Sequence, residues 1–157
     1  MISKIKPLAS LAKTVRRLKA RGRKIVFTNG TFDLLHLGHV RYLEKAKTLG
    51  DILVVGVNSD GSVKTYKAPD RPVNPEKDRM QVLAALACVD YVVLFRDPTP
   101  LALIQALRPD VLVKGSDWKK SRIAGAREVE SWGGSVRRVP LVPGRSTTAL
   151  IRKMTRK

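Results

Sequence analysis

The chain has 157 residues, enough for one ordinary domain that buries about two-thirds of its unfolded surface. Hydrophobic residues make up 43% of it, which excludes disorder as its default state; a single cysteine, Cys88, excludes an internal disulfide framework. Thirty-one Lys and Arg against 13 Asp and Glu give a formal charge of +18, so the surface attracts polyanions whatever its role. No stretch approaches the ~20 apolar residues of a membrane span, and no apolar leader follows Lys4 and Lys6. The expectation is a soluble cytoplasmic protein with no membrane partner, its cysteine a buried structural thiol in the apolar run 82–88.

From the amino end, Leu8, Leu11, Ala12, Val15 and Leu18 recur at helical spacing and predict a basic amphipathic helix over Pro7 to Arg21, stopped by Gly22. We separate this segment, 1–23, from a main domain, 24–157. A β-branched run over 24–29 follows, then a helix with Val40, Leu43, Ala46 and Leu49 on one face. Residues 52–57 are almost continuously apolar, as in a strand buried on both faces. Residues 58–74 carry loop chemistry, and Asn74-Pro75-Glu76 predicts a helix start with Asn74 as the cap. Strands are predicted over 90–95, 110–114 and 135–139, with helices over 100–107, 128–132 and 148–154. Strands alternating with helices indicate a single α/β domain, Rossmann-like and doubly wound, with a mainly parallel sheet of about five strands.

The segment Thr28-Asn29-Gly30-Thr31-Phe32-Asp33-Leu34-Leu35-His36-Leu37-Gly38-His39 joins the first strand to the next helix, at the sheet edge where such folds bind ligands. It is neither a G-x-x-x-x-G-K-[ST] loop nor a G-x-G-x-x-G fingerprint. His36 and His39 are the two histidines of the chain, and their spacing puts both rings on one face of a helix start. Unpaired N–H groups and the dipole there favour an anion, and Gly38 lets one approach the backbone. Two histidines without suitable partners are too few for zinc, and no metal ligand set is expected. Gly144-Arg145-Ser146-Thr147-Thr148, before the last helix, offers hydroxyls, N–H groups and a guanidinium to phosphate; alone it also reads as an ordinary cap.

Gly30, Phe32, Asp33, His36, Gly38 and His39 match without a gap the G-x-F-D-x-x-H-x-G-H signature, so the chain resembles the cytidylyltransferase-like nucleotidyltransferases. The resemblance implies that His36 and His39 contact the NTP phosphates and stabilise the transition state. It extends to Arg145, Ser146, Thr147 and Thr148, which look like the family's second phosphate segment. It further implies that Lys64, Lys67 and Arg71, in the long basic loop, close over the phosphates, with Lys64 grouped with the catalytic residues. Lys114, Asp117 and Trp118 would touch the base and ribose; Thr31, Phe32 and Asp33 would line the nucleotide site, Asp33 either as a helper or as a turn carboxylate. Strings such as Arg71-Pro72-Val73-Asn74-Pro75, Arg79-Met80 and Ile123-Ala124-Gly125 are similar to D-glycero-β-D-manno-heptose 1-phosphate adenylyltransferases, often the C-terminal half of a bifunctional kinase/adenylyltransferase. Ser116 departs from that pattern, which usually has glycine there. The activity implied is AMP transfer from ATP, with Mg²⁺, to a sugar 1-phosphate, by a homodimer that looks like a stand-alone transferase. The alternatives are a glycerol-3-phosphate cytidylyltransferase-like enzyme and a basic nucleic-acid-binding module. Few aromatics accompany the densest basic runs, 16–24 and 152–157, so no specific nucleic-acid partner is expected.

Overall fold

The computed structural model describes residues 3–155. Its elements alternate as the apolar pattern requires. Helix α1 (Leu8–Ala20) leads to β1 (Ile25–Gly30), α2 (Leu37–Lys47), β2 (Ile52–Asn58) and a short α3 (Asp60–Lys64). Then come α4 (Glu76–Ala85), β3 (Tyr91–Phe95), α5 (Leu101–Leu107), β4 (Val111–Gly115), α6 (Ala126–Ser131), β5 (Ser135–Val139) and α7 (Thr147–Thr155). The five strands form one parallel sheet in the order β3-β2-β1-β4-β5, as expected of a doubly wound fold.

Each face of the sheet has its own apolar cluster. On one, Leu11 and Val15 of α1 meet Phe27, Leu103, Ile104, Leu112 and Val129, all essentially buried. On the other, Leu43 of α2 and Leu83 of α4 pack on Val26, Val55 and Val113. Residues 1–23 and the rest therefore share one core. The chain ahead of α1 also covers an open sheet edge: Ile5 bridges Val92, and Lys6 N donates to Val92 O at 3.0 Å.

Three aspartates ahead of strands staple the amino edge of the sheet. Lys24 N donates to Asp51 Oδ2 at 2.7 Å, Ile25 N to Asp110 Oδ2 at 2.7 Å, and Leu53 N to Asp90 Oδ2 at 2.6 Å. The carboxyl edge behaves differently. The β1–β2 ladder runs from Ile25↔Ile52 to Gly30↔Val57, whereas β1 and β4 pair only at Val26↔Val111 and Phe27↔Leu112. Chain order reverses between β1 and β4, and the two strands part there, which opens the crevice where such folds take ligands.

Two local expectations are corrected. Residues 58–74 are not all loop: α3 lies within them, its first turn capped by Ser59 Oγ, which accepts Ser62 N at 3.1 Å. Five residues are too few to show helical periodicity. At the start of α4 the boundary residue is Pro75, with no side-chain cap, because the Asn74 side chain donates instead to Asp33 O at 2.9 Å. Cys88 is half-buried, and burial raises its thiol pKa, as for an unreactive packing residue.

Candidate active site

β1 delivers the chain to the carboxyl edge, where Thr31 to His36 turn it into α2. Phe32 takes a left-handed φ of 48°, a conformation that a bulky residue adopts only when its surroundings hold it. Its ring lies over Gly30, where a Cβ would stand 3.0 Å from Phe32 Cε2, and meets the His39 ring edge-on at 5.4 Å. Asp33 is buried, and its carboxylate accepts Arg71 Nε at 2.7 Å, Val73 N at 2.9 Å and Asn74 N at 2.9 Å. Burial by itself raises its pKa, but the two backbone N–H groups and Arg71 outweigh it and hold the carboxyl below its ordinary value. That carboxylate is committed to fixing the loop over residues 71–74.

His36 is the boundary residue of α2 and His39 lies in its first turn. Their rings stack at 3.9 Å with 23° between planes, so the sequence spacing does bring them together. Gly38 makes this possible: a Cβ there would fall 2.9 Å from His36 Nδ1 and 3.3 Å from Arg145 Cβ. The space it leaves is taken by these side chains rather than left open to the backbone. Burial, then the Arg145 charge, lowers the His36 pKa; burial, then His36, lowers that of His39 to about 4. Both rings are thus neutral near pH 7, and their Nδ1 atoms are buried without a hydrogen-bond partner. A neutral imidazole presents one donor and one acceptor, not two donors.

These residues line a cavity of about 370 Å³ together with Thr31, Phe32 and Asp33. Its far wall is the amino end of α7, with Arg145, Ser146, Thr147 and Thr148. Ser146 Oγ accepts Ala149 N at 3.1 Å, and Thr147 Oγ1 donates to Leu34 O at 3.3 Å, tying α7 to the motif. The amino ends of α2 and α7 therefore serve one cavity, each with its partial positive charge. β4 supplies Lys114, and the turn after it Asp117 and Trp118. Lys114 Nζ donates to Asn29 O at 3.2 Å across the parted strands and lies 5.1 Å from the Trp118 ring centre. Burial lowers its pKa to about 8, against the opposing pull of Asp117. Lys67 and Arg71 also line the cavity, Arg71 already engaged by Asp33. Lys64 ends α3 exposed and is not among the residues lining either cavity described here.

A second cavity, of about 610 Å³, opens on the α5 side and shares Asn29, Thr31, Lys67, Lys114 and Trp118 with the first. Asn58, Tyr66, Thr99 and Arg122 line it as well. Tyr66 Oη lies 2.7 Å from Thr31 Oγ1, which closes the loop onto the motif. Asn58, Tyr66, Thr99 and Arg122 were not named as site residues from sequence, and neither was Asn29, although it stands within the motif. Arg79 is another such residue. It is buried, and donates to Asn74 O at 3.0 Å, Thr31 O at 2.6 Å, Asn58 O at 2.8 Å and Asp60 Oδ1 at 2.8 Å. It thereby ties the ends of β1 and β2 to the start of α3 and to the segment ahead of α4. An arginine four residues ahead of Leu83, on the buried face of α4, was its signal.

Known proteins resemble the chain over nearly all its length. It is 55% identical over 152 residues to the bifunctional protein HldE of Geotalea uraniireducens, covering 97% of this chain and 31% of that protein. To the bifunctional protein HldE of Methylobacillus flagellatus it is 54% identical over 151 residues, covering 96% and 31%. The chain thus spans about a third of the length of the curated relatives it matches. Among solved structures, the lipopolysaccharide core biosynthesis protein of Thermoplasma volcanium superposes with a TM-score of 0.64 at 28% identity, over 77% of this chain and 98% of that one. The pantoate-beta-alanine ligase of Francisella tularensis superposes with a TM-score of 0.63 at 17% identity, over 96% and 73%, a likeness of fold alone. Residues 27–154 match the cytidylyltransferase-like family, and the chain belongs to that family of nucleotidyltransferases.

Proposed function

We propose that this chain transfers AMP from ATP to a sugar 1-phosphate, D-glycero-β-D-manno-heptose 1-phosphate, giving ADP-heptose and pyrophosphate. The observation that carries the reading is the pair of joined cavities. One has two helix amino ends, the stacked histidines and Arg145 around it; the other opens beside Lys114 and Arg122. A triphosphate suits the first and a phosphorylated polyol the second. The likeness to the HldE proteins supports the sugar phosphate as acceptor.

The acceptor's phosphate oxygen attacks the α-phosphorus of ATP in line, and the bond to the β-phosphate oxygen breaks. No covalent enzyme intermediate is needed. His36 and His39 donate to the phosphates as neutral imidazoles, Arg145 and the α7 hydroxyls hold the leaving pyrophosphate, and Lys114 bridges the two cavities. Such groups act by orientation and by stabilising developing charge. Lys67 covers the phosphates; Lys64 reaches them only if the segment after α3 closes. Phe32 braces His39, Asp33 and Arg71 fix the loop, Gly38 admits the imidazole stack, and Asp117 and Trp118 border the nucleoside. Among the described residues no cluster of three or more His, Cys, Asp or Glu is placed to hold a metal ion, and Asp33 is already satisfied. Magnesium enters with the substrate as MgATP, held largely through phosphate oxygens and water.

No helix among the described residues is long and apolar enough to cross a membrane. We assign the reaction to the cytoplasm, and to a homodimer without a specific nucleic-acid partner. The test of function is pyrophosphate release across NTPs paired with sugar and polyol phosphates. ATP with the heptose 1-phosphate should give the highest kcat/KM. Turnover restricted to CTP with glycerol 3-phosphate, or none with any pair, would replace this reading.

A further inference from the structure

Three buried side-chain atoms among the described residues lack a hydrogen-bond partner. Two are the Nδ1 atoms of the stacked histidines; the third is Asn29 Oδ1. Asn29 is the next-to-last residue of β1 and lines both cavities. Its main-chain oxygen is taken by Lys114 Nζ at 3.2 Å, so the backbone at this point is held. Its register neighbour on β2 is Gly56, where a Cβ would come within 3.3 Å of Asn29 Cβ. The side chain is thus flanked by a residue with no side chain on one strand and by a lysine on the other. It is a polar group held at a junction, with no protein partner for its oxygen.

We infer that the Asn29 carboxamide reads a hydroxyl group of a bound ligand where the two cavities meet, and so helps to set substrate specificity. The inference rests on the sugar-phosphate reading above. An amide oxygen in this position needs a donor; with the amide turned over, the nitrogen would need an acceptor. A hydroxyl answers in either orientation, whereas a phosphate oxygen or an ammonium group answers in only one. Two ligands of the proposed reaction carry hydroxyls: the sugar of the acceptor and the ribose of the nucleotide. The chemistry required is the same for both. A site built around such a contact discriminates against the analogue that lacks the hydroxyl, because the buried amide is then left unpaired.

Calorimetric binding provides the test, with two ligand series. One is the heptose 1-phosphate with its monodeoxy analogues; the other is ATP with 2′-deoxy-ATP and 3′-deoxy-ATP. Wild-type protein should bind one deoxy analogue about tenfold or more weakly than its parent. Asn29→Ala should bind that pair alike, while the other series keeps its wild-type affinities. Discrimination lost in the sugar series assigns the hydroxyl to the acceptor, and in the ATP series to the ribose. If Asn29→Ala does not fold, Asn29→Ser serves, and Asn29→Asp should retain discrimination when the oxygen is the reading atom. Equal binding of every deoxy analogue by wild type overturns the inference. So does discrimination that persists in Asn29→Ala, or an equal loss for all ligands, which marks a purely structural residue. Pyrophosphate release judges the reaction separately. Hydroxyl discrimination without turnover sinks adenylyl transfer and keeps the contact; turnover without discrimination does the reverse.

Discussion

His39 has its ring stacked on His36 and edge-on to Phe32, packing that fixes its orientation before any ligand arrives. Preorganised donors of this kind typically contribute on the order of 100-fold or more to rate. His36→Ala or His39→Ala should therefore lower kcat by about that factor while the thermal melt moves little; near-wild-type turnover in both would remove the histidines from the mechanism. The same burial makes a pH prediction. The folded pKa of His39, about 4, lies below the unfolded value of 6.5, so between them the unfolded chain binds more protons. The stability linked to this group is fully present above pH 6.5 and is lost as pH falls towards 4. Melts of wild type and His39→Gln between pH 7.5 and 4 should diverge, the wild type losing more. Parallel curves would mean that the imidazole titrates normally.

At the scale of elements, the site depends on the segment between β2 and α4, held by the buried Asp33–Arg71 pair and by Arg79. Removing one partner of a buried pair leaves a desolvated charge and costs roughly 3–5 kcal/mol. Asp33→Ala should fall in that range and lower turnover together with stability; an unchanged denaturation midpoint would show that the pair is dispensable. Between these anchors, residues 64–70 are exposed and include Lys64 and Lys67. Limited trypsin digestion should cut there in the free protein and be slowed by ATP with Mg²⁺. Identical cleavage in both conditions would mean that this segment does not close over the phosphates.

Across the whole molecule the charge of +18 is unevenly used. Lys19 is committed, donating to Arg108 O at 2.6 Å and pairing with Asp110 at 3.0 Å, which places the end of α1 at the amino edge of the sheet, opposite the site. Arg16, Arg17 and Arg21 are exposed along the same helix, and of the basic tail Arg156 and Lys157 lie outside the described residues. A surface of this charge should bind DNA at low salt through counterion release and shed it as salt rises, without sequence preference. Replacing Arg16, Arg17 and Arg21 by Gln should weaken that binding and raise KM only modestly through lost steering. Tight binding that survives physiological salt, or abolished turnover in a folded variant, would make nucleic acid a genuine partner.

Sequence alone made the alternation of strands and helices legible, because short apolar or β-branched runs bounded by turn residues alternate with segments of helical period. It also placed His36 and His39 on one face, since a spacing of three at a helix start does so and Gly38 leaves room for the two rings, and it singled out the segment from Arg145 to Thr148, which lines the same cavity. Contacts between distant segments escaped it. α3 is too short to show a period, and Asn74 left its cap because Asp33, 41 residues away in sequence, offered a better partner. Tertiary structure likewise decided that Arg71 and Arg79 are bound within the protein, that Lys64 lies outside both cavities, and that Asn29 lines them and has a buried, unpaired oxygen. Local pattern specifies which face of an element is apolar; which polar groups meet depends on how the strand ends part, and that is settled only when the sheet assembles.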